Sequence, residues 1–402
     1  MSAAPSRAIM AWACYDLANT FFAVTMTSFF FPLWLVEDRG TKELWFSLAL
    51  AASMAVAAVL MPLCGVFSDV TGRRVTPLRW TTYGCVAAVA LTACTRHVGL
   101  ALGLFMAANL CYQLGTVFYD ALLWQLAPEG RLGATSGFGA AFGYLGSMAG
   151  LGLLWPVVRT WGHQASFAPS AGLFLLFALP LFFMVREPRP AARVSWPAIW
   201  RQTKDRLLHS IAWAARVPGV PMYLLASFFS ANAISTVLTF MAVYTKRVAG
   251  FSEAEVIRFF LFGQAFAVLG AFVGGRLIPR WGARRALAVI WAGWLVGLAL
   301  IAWRVDVRWL WVAGPVIGFC LGPTWATSRV LLIELAPKER LGELLGLAGV
   351  VARASGILGP ILWGLLVWDP AHAQHAVLAM MALLVIGLVL LRRVPESSGA
   401  MA

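Results

Sequence analysis

Twelve apolar runs of roughly 18 to 30 residues divide the chain, and a helix of that length is what crosses the hydrocarbon core of a bilayer. They lie near 9–36, 44–67, 78–95, 98–127, 132–157, 166–185, 218–245, 254–277, 286–303, 309–334, 342–367 and 374–391. The pattern predicts an all-α polytopic membrane protein with 12 transmembrane helices: six spans, a polar stretch, and six more. Of the 402 residues, 61% are hydrophobic and 12% charged, against about 45–50% and about 25% in soluble domains. That balance excludes a cytosolic enzyme, a disordered regulator and a secreted disulfide scaffold. The six cysteines (Cys14, Cys64, Cys85, Cys94, Cys111, Cys320) lie in or at the ends of apolar runs without metal-ligand spacing, and read as small core residues. No metal or cofactor is expected.

The net charge of +14 would suggest nucleic-acid binding in a soluble chain. Here the basic residues fall mostly between apolar runs, where they set topology. With the N-terminus in the cytoplasm, about 20 Lys and Arg lie on that side and about 8 on the other, which predicts both termini to be cytoplasmic. The interruption carries Arg186, Arg189, Arg193, Arg201, Lys204, Arg206 and Arg216. It reads as a cytoplasmic linker with a short interfacial amphipathic helix near Ile199 to Trp213. The expected division is 1–186, 187–217 and 218–402. Only Arg7 precedes the first run and no small-residue cleavage site follows it, so that helix is expected to be retained. Length and short tails point to a monomer in a bacterial cytoplasmic (inner) membrane.

An internal repeat underlies the six-plus-six division. Leu126-Ala127-Pro128-Glu129-Gly130-Arg131-Leu132-Gly133 recurs 209 residues on as Leu335-Ala336-Pro337-Lys338-Glu339-Arg340-Leu341-Gly342, and Gly65, Gly72 and Arg74 recur 210 residues on as Gly275, Gly282 and Arg284. Two motifs at nearly one offset imply that the halves are copies. The segment Gly65-Val66-Phe67-Ser68-Asp69-Val70-Thr71-Gly72-Arg73-Arg74 resembles the loop signature of the major facilitator superfamily. That resemblance implies two pseudo-twofold-related six-helix bundles, with spans 1, 4, 7 and 10 lining a central cavity. It also implies a conformational latch built from Gly65, Asp69, Gly72, Arg73 and Arg74, with Asp69 accepting from a helix N-terminus of the other half. The second copy has Pro279 in place of Asp69, so its latch is expected to be degenerate.

Asp16, Asp120 and Arg353 stand deep in spans, and Arg329 stands near a span end. A charge at a helix centre costs on the order of 2.5–3.5 kcal/mol on insertion scales, so the deep ones should face protein or water. Asn109, Gln113, Thr116 and Asp120 form one polar stripe on span 4, and Asp16, Thr20, Ala23 and Thr27, with Asn19 beside them, form another on span 1. Span 7 offers Asn232, Ser235 or Thr236, and Thr239, and Trp325 is a candidate cavity wall. Asp16 and Asp120 each lie roughly 10 Å inside the cytoplasmic boundary, where a carboxylate suits reversible proton uptake. A rival role for Asp120 is a gate with Arg329, its equivalent at offset 209. Arg353 offers a planar fork for a carboxylate or phosphate, or neutralises a structural carboxylate. A sodium site is the alternative use of Asp16, Asn19, Thr20 and Asp120.

Glycine runs at 139, 143, 146 and 150 in span 5 and at 346, 349, 356 and 359 in span 11 predict close helix approach, answered by Ala51, Ala55 and Ala58 in span 2 and Gly263, Gly270 and Gly274 in span 8. Most of the 19 tryptophans read as an interfacial belt. The stretches Ala11-Trp12-Ala13-Cys14-Tyr15-Asp16-Leu17-Ala18-Asn19, Phe29-Phe30-Phe31-Pro32, Phe118-Tyr119-Asp120-Ala121-Leu122-Leu123, Ser136-Gly137-Phe138-Gly139 and Gly143-Tyr144-Leu145-Gly146 resemble the vacuole effluxer-like family. Its fungal members are autophagy-linked exporters of amino acids. Asp120 departs from that family's usual Asn and adds a negative charge near Asp16.

The expected function is secondary transport of a small polar or zwitterionic solute by alternating access, coupled to protons. The alternative is an exporter or flippase of amphipathic compounds that uses Phe21, Phe22, Phe29, Phe228, Phe229 and Phe240. The five histidines read as loop or linker residues, His375 at the very edge of the last run, and no nucleophile elbow, HExxH run or phosphate loop is present. The sequence therefore predicts neither an enzyme nor an ATP-driven pump. The expected partners are a small solute, protons or sodium, and the lipid bilayer, with no nucleic acid.

Overall fold

The computed structural model describes residues 6–126, 132–187, 213–303, 307–335, 341–367 and 373–395. The expected linker helix near 199–213, the loop motif at 127–131 and its copy at 336–340 lie outside them, as does the side chain of Asp69. Twelve long helices are present among the described residues. The first, α1, is the helical stretch Arg7–Asp38. It is followed by α2 (Glu43–Thr71), α3 (Val75–Cys94), α4 (Val98–Leu126), α5 (Leu132–Trp161) and α6 (Phe167–Met184), then by α7 (Val220–Arg247), α8 (Glu253–Trp281), α9 (Ala283–Trp303), α10 (Val307–Leu335), α11 (Leu341–Leu366) and α12 (Ala373–Leu391). Ten of them are long and apolar enough to cross a membrane. Among the described residues α3 falls short of that measure and carries Arg79, Thr81 and Thr82 near its start. The Arg79 guanidinium is held by α6, donating to the Phe182 carbonyl at 2.9 Å and lying over the Phe182 ring.

The chain divides into two compact units, Met1–Lys204 and Asp205–Ala402. In the first, α1 packs on α5 and α6, α2 on α4, and α3 on α4 and α6. In the second, α7 packs on α11 and α12, α8 on α10, and α9 on α10 and α12. The same five pairings thus occur in each unit, in the same order along the chain.

Small residues decide how close these pairs come. Inside the first unit it is α1 that lies on the α5 glycines. Trp12 covers Gly139, Asp16 covers Gly143, Thr20 covers Gly146 and Phe21 covers Gly150. In the second unit Thr236 of α7 sits on Gly359 of α11, and the α8 glycines meet α10, with Gly270 against the Phe319 backbone and Gly274 against Pro323. Backbone-to-backbone approach maximises dispersion and leaves no gap for lipid.

Helix α1 is not uniform. It is α-helical over Arg7–Phe22, π-helical over Ala23–Ser28, and π-helical again over Trp34–Asp38. Its far end is tied down by His163 Nδ1, 2.9 Å from Asp38 Oδ1, and just beyond it Arg39 Nη2 donates to Gln164 Oε1 at 3.2 Å. Of the six rings offered for an oily cavity, Phe21, Phe22, Phe29 and Phe240 are buried in the core, with Phe22 stacked on Tyr112 at 4.6 Å and Phe240 on Trp363 at 5.4 Å, while Phe228 and Phe229 are half-buried. Several tryptophans leave the expected belt for the interior, among them Trp34, Trp291, Trp294 and Trp363, while Trp80, Trp161 and Trp303 are widely exposed. Cys94, expected in the core, is exposed at the end of α3.

Candidate functional site

The signature loop between α2 and α3 is built as its residue types require. Gly72 has φ +66° and closes α2 with a hydrogen bond from its N–H to the Ser68 carbonyl at 2.9 Å. Its copy Gly282 has φ +78°. Arg73 N–H donates to Thr71 Oγ1 at 3.2 Å. Arg74 reaches across to α4, where Nη1 donates to the Ala121 carbonyl at 2.8 Å, one residue from Asp120. Gly65 has open space around it. Gly72→Ala places a Cβ on a left-handed backbone, costing about 1 kcal/mol, whereas Gly72→Asn should cost less. Comparing the two thermal midpoints in detergent checks this, and equal midpoints would remove the backbone explanation.

Asp16 is half-buried on α1, with Oδ2 3.0 Å from where a Cβ on Gly143 would stand. Trp12, one turn earlier, stacks on Tyr119 of α4 at 4.7 Å with planes 1° apart, and its indole N–H donates to the Tyr119 carbonyl at 3.1 Å. Tyr15 stacks on the same ring at 5.2 Å and shares a 2.6 Å hydrogen bond with Thr82. The stack thus has Asp16 one turn beyond Trp12 on α1 and Asp120 next to Tyr119 on α4. Asp120 itself is exposed. Asn19 is buried, and Thr20 Oγ1 donates to the Leu17 carbonyl at 2.7 Å.

The α4 stripe changes character along its length. Asn109 is fully buried, and its Nδ2 donates to Ser53 Oγ of α2 at 2.8 Å, so it serves the α2–α4 crossing rather than an open polar wall. Gln113 is buried, Thr116 is half-buried and donates to the Gln113 carbonyl at 2.7 Å, and only Asp120 is exposed.

Asn232 of α7 is likewise structural. Its Oδ1 accepts from the Gly359 N–H of α11 at 2.8 Å, and its Nδ2 donates to the Phe228 carbonyl at 2.8 Å. The face of α7 that lines space is the one a few residues earlier. Tyr223, Ser227, Ser230 and Ile234 border a cavity of about 240 Å³ inside the second unit, with Trp291 of α9, Trp325 and Arg329 of α10, and Val351 of α11. Trp325 and Arg329 are exposed, and Arg353 is half-buried on α11. Among the described residues no group of His, Cys, Asp and Glu is arranged to hold a metal ion.

The profile described as Major Facilitator Superfamily matches residues 17–303 and, in a second segment, 259–400. The chain belongs to the major facilitator superfamily. This major facilitator chain is 23% identical to the uncharacterized MFS-type transporter YxiO of Bacillus subtilis, over 96% of its own length and 94% of that protein. It is 23% identical to Autophagy-related protein 22 of Yarrowia lipolytica, over 72% of its length and 55% of that protein. Its fold matches the crystal structure of the D-xylose-proton symporter with a TM-score of 0.77 at 14% identity, covering 98% of this chain and 99% of that one. The Bacillus relative is by its name an MFS-type transporter, and the solved structure is by its title a proton symporter.

In this superfamily member the sequence signal for the cavity was present but ambiguous. Tyr223, Ser227, Ser230 and Ile234 recur at steps of four, three and four, as a lining face does. The more polar Asn232, Ser235, Thr236 and Thr239 masked that face, although Thr239 Oγ1 is spent on the Ser235 carbonyl at 2.9 Å. Trp291 carried no signal, because a tryptophan in a span reads first as belt.

Proposed function

We propose that the protein moves a small polar or zwitterionic, amino-acid-like solute across the membrane by alternating access, coupled to protons through Asp16 and Asp120. The observation that carries the reading is the stack of Trp12 on Tyr119, which joins α1 one turn before Asp16 to α4 next to Asp120, since a carboxylate that is partly buried yet reachable suits reversible protonation. The cavity of about 240 Å³ supports a small solute, because it is below the roughly 300–1,000 Å³ of pockets that take drug-sized ligands. The vacuole effluxer-like resemblance supports an amino-acid-like substrate, and the symporter with the same fold is by its name proton-driven. In this reading the protein is a monomer of a bacterial inner membrane with both termini cytoplasmic. Residues 1–186 and 218–402 form the bundles joined by the linker 187–217, and Gly65, Asp69, Gly72, Arg73 and Arg74 form the latch.

Uptake and counterflow in proteoliposomes test it, using labelled amino acids, sugars and lipophilic cations with and without an imposed pH gradient. A zwitterion should accumulate only with the gradient. Asp16→Asn and Asp120→Asn should each reduce that accumulation at least tenfold while sparing counterflow. If only lipophilic cations move, the amphipathic exporter replaces this reading. Normal accumulation by both variants removes the carboxylates from coupling, and a sodium requirement would replace protons.

A further inference from the structure

We propose that the corner where α9 begins and α12 ends binds an anionic phospholipid, with Arg392 and Arg393 holding its phosphate and the exposed faces of the two helices its tails. The inference concerns the bilayer around the protein and stands independently of the solute that is transported. It starts from the internal repeat. Val185 and Val394, 209 residues apart, are both buried just past the ends of α6 and α12. In that register Arg392 and Arg393 correspond to Phe183 and Met184, and all four are exposed. Phe183, 80% exposed, shows that this position in the fold needs no charge. Basic residues fix topology from anywhere in a loop, so two adjacent guanidiniums at a lipid-facing helix end call for an anion of their own.

Arg284, in the first turn of α9, fastens the two ends together. Its Nη1 donates to the Arg392 carbonyl at 3.3 Å and to the Val394 carbonyl. That guanidinium is thereby spent on carbonyls at the end of α12, and Arg285 has a partner of its own. Arg392 and Arg393 differ, because among the described residues neither forms an ion pair. Arg280, also exposed, lies in the last turn of α8, just before the turn at Gly282. Over 280–285 and 391–396 the sequence sets five arginines against one acid, Glu396. A headgroup that carries its own ammonium gains little from that excess, whereas a net-negative one is drawn to it.

The apolar surface beside these arginines argues for a lipid rather than a free phosphate. From Arg392 the exposed face of α12 runs back through Val389, Val385 and Leu378, at steps of three, four and seven. On α9 an exposed face runs through Val289 and Val296. Because α9 packs on α12 and its first turn meets the end of α12, both faces lead away from the same corner. Trp281, exposed at the end of α8, is of the residue type that sits at headgroup level.

The test is lipid retention by the full chain in detergent, read by native mass spectrometry with phosphatidylglycerol and phosphatidylcholine added in equal amounts, and the thermal midpoint is followed alongside. Phosphatidylglycerol should be retained about fivefold or more over phosphatidylcholine. Arg392→Phe combined with Arg393→Met installs the pair found at the equivalent end of α6, and should weaken phosphatidylglycerol about tenfold in a protein that still folds. Should the double variant fold poorly, Arg393→Gln alone is expected to lose about threefold. Arg96→Gln, at an exposed arginine between α3 and α4, should bind as wild type. Glycerol phosphate, the same anion without tails, should leave the midpoint unchanged up to about 10 mM. Wild-type retention in the corner variants, an equal loss in Arg96→Gln, no preference between the two lipids, or a midpoint shift by glycerol phosphate equal to that of the lipid would each overturn the assignment.

Discussion

Gly322→Ala is expected to leave little folded protein. A Cβ at Gly322 would fall inside contact distance of the Ala267 carbonyl and 2.6 Å from the Ala271 nitrogen, both in the α8 backbone. Backbone cannot rotate away as a side chain can, so the two helices must separate along their whole seam. Gly318 and Gly270 form the neighbouring contacts, against the Gly263 and Phe319 backbones. Overpacking of this kind costs about 3 kcal/mol or more, a large part of the stability of a typical domain. Gly152→Ala is the control, because nothing lies within 4 Å of its Cβ position on α5. Replacing that glycine within a helix should be neutral or stabilising by up to about 1 kcal/mol. Monodisperse yield and thermal midpoint in detergent separate the two outcomes. A Gly322→Ala protein with wild-type yield and midpoint would mean the α8–α10 seam is looser than described.

Gly146→Ala and Gly143→Ala, one turn apart on α5, are expected to fail in different ways. At Gly146 a Cβ would stand 2.7 Å from the Leu17 carbonyl and 2.9 Å from the Leu17 Cα, so α1 itself must move, at about 2–3 kcal/mol. At Gly143 the nearest atom is Asp16 Oδ2 at 3.0 Å, followed by Cγ at 3.5 Å. A carboxylate on a rotatable side chain can shift by a few tenths of an ångström, so the midpoint should fall by under about 1 kcal/mol equivalent. In the transport reading the displaced carboxylate then lowers gradient-driven accumulation in a protein that still folds. Equal loss of folded protein in both variants would show that Asp16 is fixed by packing and is not free to adjust.

The helix pattern was open to reading because a span announces itself by length and apolarity. The second span, expected at 44–67, is observed as Glu43–Thr71, and the eleventh, expected at 342–367, as Leu341–Leu366. The Gly72 turn was equally legible, since the signature demands a left-handed residue there. The destination of each polar stripe was not. Periodicity shows that Asn109 and Asp120 share a face of α4, but not that Ser53 of α2 waits under one of them. The α1 stripe keeps a common face: Asp16, Thr20, Ala23 and Thr27 are all half-buried, although Ala23–Ser28 is π-helical and departs from 3.6 residues per turn. The α5 glycine run announced close approach, yet a missing side chain carries no address, and that α1 is the partner within the first unit was not legible.

The crossing of the second and fourth helices in each unit records how the two copies diverged. Ser53 and Asn109 meet by a side-chain hydrogen bond. At the positions displaced by 210 and 209 residues, Gly263 and Gly318 meet backbone to backbone. One ancestral junction has thus been resolved in two incompatible chemistries. Neither converts into the other by one substitution: an asparagine opposite Gly263 has no room, and a glycine opposite Ser53 leaves a hole. A chimera that grafts α4 of one copy beside α8 of the other would inherit that mismatch.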